Sequence, residues 1–235
     1  MTLPFGMQPG ITLSIIAANV ILWLVFQGNE RLLQRMLFIN RAVVRDREYD
    51  RLLASGFAHH SIIHLVFNML TLYYFGPTVE LLYGGLGFIT IYLLSIVGGN
   101  LFCLLTHRED PGYSALGASG GLFGIVYAFV WILPQAKLSL FLIPVWIPGW
   151  IFAILVSGIS ILLTQLPRGH EGGISHEGHL GGALTGGLMA ILLHIPDQFS
   201  SMQQWFLVGG IAPIILLGLV KWVKPGWVYR HRRRL

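Results

Sequence analysis

The sequence predicts an all-α, multipass transmembrane helical bundle, and three observations carry that prediction. Of its 235 residues, 54% are hydrophobic and only 11% charged, against about 25% charged in ordinary soluble domains. The apolar residues fall into seven runs, approximately 11–27, 58–75, 86–106, 115–133, 149–166, 178–194 and 203–223, each near the roughly 20 residues that cross a bilayer core of about 30 Å. The net charge of +5 is gathered at 31–51 and 221–234, as in juxtamembrane segments held at anionic headgroups. A soluble enzyme is thereby excluded. So are a disordered chain, which needs low hydrophobicity, and a nucleic-acid partner, which needs a basic face on a soluble domain.

The elements follow in order. The opening MTLPFGMQPG has no Lys or Arg ahead of the first run and no small-residue cleavage site, so that run is expected to stay in the mature protein. Segment 28–57 holds six of the fifteen Lys and Arg residues and four acids; it is too polar to span and reads as a long first loop. The second run, FAHHSIIHLVFNML, carries His59, His60, His64 and Asn68. In the third lies the single cysteine, Cys103, which cannot form an intramolecular disulfide and reads as a packing residue. The fourth opens on Gly117, Ala118, Ser119 and Gly120 in ALGASGGLFG. Residues 137–148, KLSLFLIPVWIP, are apolar but broken by Pro144 and Pro148, hence an interfacial loop, with a longer fifth helix as the alternative. The sixth run opens with His176 and His179 in HEGHLGGALTGG. The seventh is uncharged over 205–220, with Trp205, Trp222 and Trp227 as interface markers. No soluble domain and no internal repeat intervene. The expected division is a core over 1–195 and an extra helix with a basic tail over 196–235.

Polar side chains in hydrocarbon are costly and tend to face the bundle interior, so they are the functional candidates. The starts of the second, fourth and sixth runs lie on one membrane side if consecutive helices alternate in direction. Their polar clusters can therefore meet. His64 and Asn68, four residues apart, share a helix face and can aim two hydrogen-bond donors at one point, which suits an oxyanion. Ser119 lies at a helix start, where unpaired backbone N–H groups and the positive dipole end favour negative charge. Gly117 and Gly121, Gly120 and Gly124, and the stripe Gly178, Gly182 and Gly186 allow two helix backbones to approach closely. If these stripes face each other, His179 comes beside Ser119 and can take its hydroxyl proton as a general base. Taken alone, Ser119 reads as a small packing residue, and His64 with Asn68 as an interhelical hydrogen-bond pair; together the three clusters supply nucleophile, base and oxyanion donors.

GASG at 117–120, HHSIIHLVFN at 59–68 and HLGG at 179–182 followed by Gly186 closely resemble the rhomboid intramembrane serine proteases. The E-Y-D-R stretch ending at Arg51, Glu80 in GPTVELLYG and Phe123 one turn after the serine extend the resemblance over about 45–190. It implies a six-helix core and a Ser–His dyad that cleaves peptide bonds in or near transmembrane segments of substrates; run 203–223 reads as an added seventh C-terminal helix, with a re-entrant or interfacial segment and a cytoplasmic tail as the alternative. Ser119 would be the nucleophile, with Gly117 shaping its turn, and His179 the general base. His64, Asn68 and the Ser119 backbone N–H would hold the oxyanion. Phe123 would pack beneath the imidazole, and Arg51 and Glu80 would support the first loop and second helix. Asp50 stands where the family carries an aromatic, and Tyr49 is the expected substitute anchor. Asp110 and Asp197 read as loop residues, so a dyad is expected, its histidine oriented by packing.

His59 reads as support for the first loop and His60 as a headgroup-facing residue, while His170, Glu171 and His176 fall in a Gly-rich loop with a possible lid role. Two readings of other classes stand beside the protease. His60 with His64 and His176 with His179 have metal-ligand spacing, but HEGH is not HExxH and a metal leaves GASG unexplained. A rhomboid-like pseudoprotease would bind and escort membrane proteins without cutting them. No cofactor or metal is expected; the partners are transmembrane substrates and the bilayer. A prokaryotic plasma membrane is expected, with the active site opening to the extracytoplasmic side as in the family, although the distribution of Lys and Arg favours the reverse.

Overall fold

A computed structural model of the chain describes residues 10–139, 146–165, 174–194 and 199–223. Pro144, Arg168, His170, Glu171, Asp197, Trp227 and the tail beyond 223 lie outside the described residues. Helices dominate: α1 (Gly10–Phe26), α2 (Glu30–Met36), α3 (Asn40–Val44), α4 (Arg51–Ala54), α5 (Ile62–Thr106), α6 (Ser119–Ile132), α7 (Gly149–Leu163), α8 (His176–Leu193), α9 (Ser201–Trp205) and α10 (Ala212–Val223), the last two joined by a π-helical turn at Phe206–Ile211. The fold is mostly, not purely, helical. Strand β1 (Phe38–Ile39) pairs antiparallel with β2 (Ser114–Ala115), and β3 (Lys137–Ser139) with β4 (Trp146–Pro148). These pairs give partners to loop backbone that would otherwise go unsatisfied. The second pair also decides the reading of 137–148, because α7 begins at Gly149 and is not lengthened into that segment.

The longest helix is two arms. Gly84 has φ +70° and ψ 166°, a conformation open to glycine and strained for residues with a Cβ. Beyond it the chain turns back: Asn100 Nδ2 donates to Leu52 O and Ser55 Oγ, both at 2.8 Å, which returns the second arm to the segment just ahead of the first. The second run was expected over 58–75. Instead, Ser61 caps the helix by accepting from His64 N at 3.2 Å, so His59 and His60 precede it, and the helix continues through Pro77 to the break at Gly84. Proline is tolerated inside a membrane helix where neighbouring groups take up the freed carbonyls. The fourth run likewise enters its helix only at Ser119, because 114–115 are spent in β2.

Among the described residues, two helical segments, Ile62–Thr106 and Ser201–Val223, are long and apolar enough to cross a membrane, and α1, α6 and α7 are shorter apolar helices. Large apolar side chains such as Ile63, Leu86, Leu162 and Leu192 point outward. Water would penalise so apolar a surface, whereas a bilayer solvates it. The chain is an integral membrane protein. Its core lies where α5, α6 and α8 meet, around fully buried Tyr92, Tyr127 and Trp131. The C-terminal segment runs the length of this core. Gln203 Nε2 donates to Trp131 O, 3.1 Å away at the end of α6. At the other end Arg108 donates to Trp222 O at 2.9 Å, its guanidinium 5.3 Å from the Trp222 ring centre. The π turn sits on α7, where Ser157 Oγ donates to Gly210 O at 2.7 Å.

Candidate active site

Contact between α6 and α8 is backbone to backbone. A Cβ on Gly182 would collide with the Gly120 carbonyl, and one on Gly186 with Gly124 Cα. The far side of α8 is as tight: a Cβ on Gly99 of α5 would lie 2.6 Å from Gly178 O. This approach needs residues without side chains on both surfaces, and the small-residue stripes supply them. Its consequence is local. His179, in the first turn of α8, places Nε2 2.8 Å from Oγ of Ser119, the first residue of α6. Phe123, one turn further along α6, lies parallel to the imidazole with ring centres 4.2 Å apart and planes 13° apart. The stack restrains the ring's rotation, and the Ser119 contact uses the atom that can accept the hydroxyl proton.

The turn into α6 is built on Gly117. Its φ is +116°, and a Cβ there would stand 2.6 Å from His64 Cε1 and 3.7 Å from Asn68 Nδ2. Any side chain at 117 is therefore excluded twice, by backbone conformation and by His64. The same numbers place His64 and Asn68 over the turn that precedes Ser119. Asn68 Nδ2 lies 2.9 Å from His59 Nε2, which engages one of its two amide hydrogens, and Asn68 lines the same groove as Ser119. His59 is thus buried support for Asn68, while His60 is exposed.

The first loop holds this turn in place. Gly117 N donates to Ser55 O at 2.9 Å, and β1 pairs with β2 just before the turn. Buried Arg51 donates to Gln34 O at 2.8 Å and Leu37 O at 2.7 Å and bonds the Glu48 carboxylate, tying α2 to α4. Tyr49 is not the substitute anchor: it is 60% exposed. Asp50 instead pairs with Arg35 at 2.9 Å, a hydrogen bond that holds its carboxyl below the usual range. Glu80, expected as a support of the second helix, ties that helix to the first: its carboxylate accepts from Ile11 N, Thr12 N and Thr12 Oγ1 at 3.0, 2.8 and 2.7 Å. It supplies negative charge and acceptors to the unpaired N–H groups at the start of α1.

Ser119 and Asn68 also line a groove of about 710 Å³ between the first arm of α5 and α7, walled by Tyr74, Phe75, Phe123, Phe152 and Val156. The lining is mostly apolar, so the Ser119 hydroxyl and the Asn68 amide are polar groups set into an apolar groove.

The sequence reading passed over two acids and bases. His107 Nε2 lies 2.9 Å from Glu177 Oε1, and both residues are buried. A carboxylate at the very start of an apolar run is itself the signal for Glu177. His176 is the first residue of α8 rather than part of a loop, with its ring 6.0 Å from that of His179 and perpendicular to it.

Comparison with known proteins bears on this geometry. Residues 46–196 match the Rhomboid domain, a span that takes in Arg51, His64, Asn68, Ser119 and His179. The chain belongs to the rhomboid family. Among rhomboid relatives, Rhomboid protein 1, mitochondrial, of Saccharomyces cerevisiae is 31% identical over 160 residues, 66% of this chain and 44% of that protein. RHOMBOID-like protein 12, mitochondrial, of Arabidopsis thaliana is 30% identical over 192 residues, 74% of this chain and 55% of that protein. Rhomboid-like protease 3 of Toxoplasma gondii is 25% identical over 207 residues, 83% and 72% of the two. The chain spans about half the length of the first two rhomboids it matches.

Proposed function

We propose that this rhomboid is a serine endopeptidase that cleaves peptide bonds in or near transmembrane segments of membrane proteins. The observation that carries the reading is the 2.8 Å contact between His179 Nε2 and Ser119 Oγ inside an apolar bundle. Ser119 Oγ attacks the scissile carbonyl carbon while His179 Nε2 takes its proton. The tetrahedral oxyanion is held by the Ser119 backbone N–H, His64 and the free Asn68 amide hydrogen. Collapse transfers the His179 proton to the departing amine and leaves an acyl-Ser119, which water hydrolyses with His179 again as base. Phe123 and the glycine seam orient the base.

The apolar groove admits one edge of a substrate helix, and a locally unwound stretch of it reaches Ser119. The core is residues 1–195 with six spanning helices, and 196–235 adds a seventh and the basic tail. The active-site end faces the extracytoplasmic side, with the tail on the same side. A cysteine appended after Arg234, on a Cys103→Ser background, should react with an impermeant reagent in intact cells; protection until lysis would reverse that placement.

The test of the activity is reconstitution with a panel of transmembrane reporters. The wild-type chain should cut at least one reporter with no loss in chelator, and Ser119→Ala should lower the rate by roughly 10⁴-fold or more while the fold is kept. Binding of reporters without cleavage would assign the escort role of a pseudoprotease, and loss of cleavage in chelator would assign a metal.

A further inference from the structure

The glycine seam fixes how closely α6 and α8 approach, but a surface of glycines carries no knobs that set rotation or axial position. Something else must determine where the first turn of α8 points. On the face away from Ser119 that turn is gripped by a buried polar cluster. Ser175 caps the helix by accepting from Gly178 N at 3.1 Å, and its Oγ lies 2.8 Å from Tyr113 Oη and 3.3 Å from Cys103 Sγ. Glu177, 2% exposed, bonds His107 at 2.9 Å. The His107 ring is stacked on Tyr113 with centres 3.9 Å apart and planes 14° apart, and Asn40 of the first loop donates to His107 O at 2.6 Å.

Glu177 and His179 are two residues apart, about 200° around an α-helix. A restraint on one therefore sets the direction of the other. A buried carboxylate is costly unless it is paired, and a buried pair adds little net stability over apolar residues of the same size. What such a pair does supply is one defined arrangement, because any rotation of α8 that separates the two groups breaks the buried bond between them.

We propose that the Glu177–His107 pair, with the Tyr113–Ser175 bond beside it, is a positioning device that sets the rotation of α8 so that His179 meets Ser119. Neither Glu177 nor His107 touches the reacting atoms; they act through the helix. This rests on the proteolytic reading above, and the two fail separately: a wild-type chain that cuts no reporter defeats that reading, whereas wild-type cleavage that Ser119→Ala abolishes and the variants below leave unchanged defeats only the positioning role.

The experiment measures reporter cleavage per active site, counted by fluorophosphonate titration, in reconstituted Glu177→Ala and Glu177→Gln. Misplacing a base by about 1 Å costs on the order of 10²-fold. Glu177→Ala should accordingly lose roughly tenfold to a hundredfold in kcat with KM within about twofold, and Glu177→Gln, which keeps an acceptor for His107, should retain at least about a third of wild-type kcat. A Glu177→Ala chain with wild-type kcat per active site would overturn the proposal, as would a glutamine variant no better than alanine. Should Glu177→Ala fail to accumulate, Tyr113→Phe removes the hydroxyl that bonds Ser175 and Cys103 and leaves the Glu177–His107 pair in place. It should lose about threefold to tenfold in kcat at unchanged KM, and unchanged kcat would overturn the device.

Discussion

Two seams border Ser119, and they are built in opposite ways. Between α6 and α8 the backbones touch, because Gly120, Gly124, Gly182 and Gly186 have no side chains to keep them apart. Between the first arm of α5 and α7 the walls are Tyr74, Phe75, Phe152 and Val156, and a groove of about 710 Å³ remains. The closed seam brings Ser119 and His179 to hydrogen-bond distance; the open seam leaves an apolar groove beside Ser119. In a membrane no hydrophobic force drives helices together, so intimate contact must come from close packing and polar bonds. The same chain thus spends its small residues where geometry must be fixed and its aromatic residues where a guest must be solvated.

Removing the polar groups that face the Ser119 turn from α5 should give the largest effects. His64→Ala and Asn68→Ala should each lower kcat by roughly tenfold to a thousandfold with smaller changes in KM, measured on a reconstituted reporter. A lower melting temperature with unchanged kcat would return the pair to helix packing. Breaking the closed seam's packing comes next. A Cβ on Gly182 meets the Gly120 carbonyl oxygen, and overpacking of this kind costs about 1–3 kcal/mol, so Gly182→Ala should show a lower Tm and lower kcat together, read by thermal denaturation and cleavage.

The open seam should respond differently. Val156→Trp, which fills the groove, should raise KM for a transmembrane reporter by roughly threefold to tenfold while a small fluorophosphonate labels Ser119 at the wild-type rate. Equal losses for both probes would mean that the groove is not the substrate's route. The smallest effect belongs to the exposed Asp50–Arg35 pair. Because Arg35 lowers the Asp50 carboxyl, the pair's contribution is fully present above the ordinary carboxylate value and is lost as pH falls from there through the lowered folded one. Asp50→Asn should change Tm by no more than about 1 °C at pH 7 and less at pH 3, because an exposed ion pair is screened.

The sequence is most informative where one physical rule acts alone. Apolar runs mark the helices because the bilayer demands them, and glycines at i, i+4 mark a close seam because nothing else permits one. Both the seven runs and the stripes of 117–124 and 178–186 were legible on those grounds. Rules that compete are harder to read. The helix that begins at Ile62 looked as though it began at 58, because apolarity does not distinguish the extended residues 58–61 from a first turn and the Ser61 cap was not weighed. The strand pair of β1 with β2 joins residues about 75 apart, and no local pattern announces it. Glu80 is legible as a support of the second helix, but which backbone it caps depends on where α1 lands against α5. Glu177 and His107 lie 70 residues apart and reveal themselves only when both helix ends are in place.

The central claim is that the closed seam activates Ser119 through His179, and one measurement addresses it most directly. The reconstituted chain would be treated with a fluorophosphonate and the modified peptide mapped by mass spectrometry, in wild type and in His179→Ala. The account predicts stoichiometric labelling on Ser119 in wild type, and labelling slower by at least about a hundredfold without His179. Labelling on another residue, or on Ser119 at the same rate with and without His179, would contradict it.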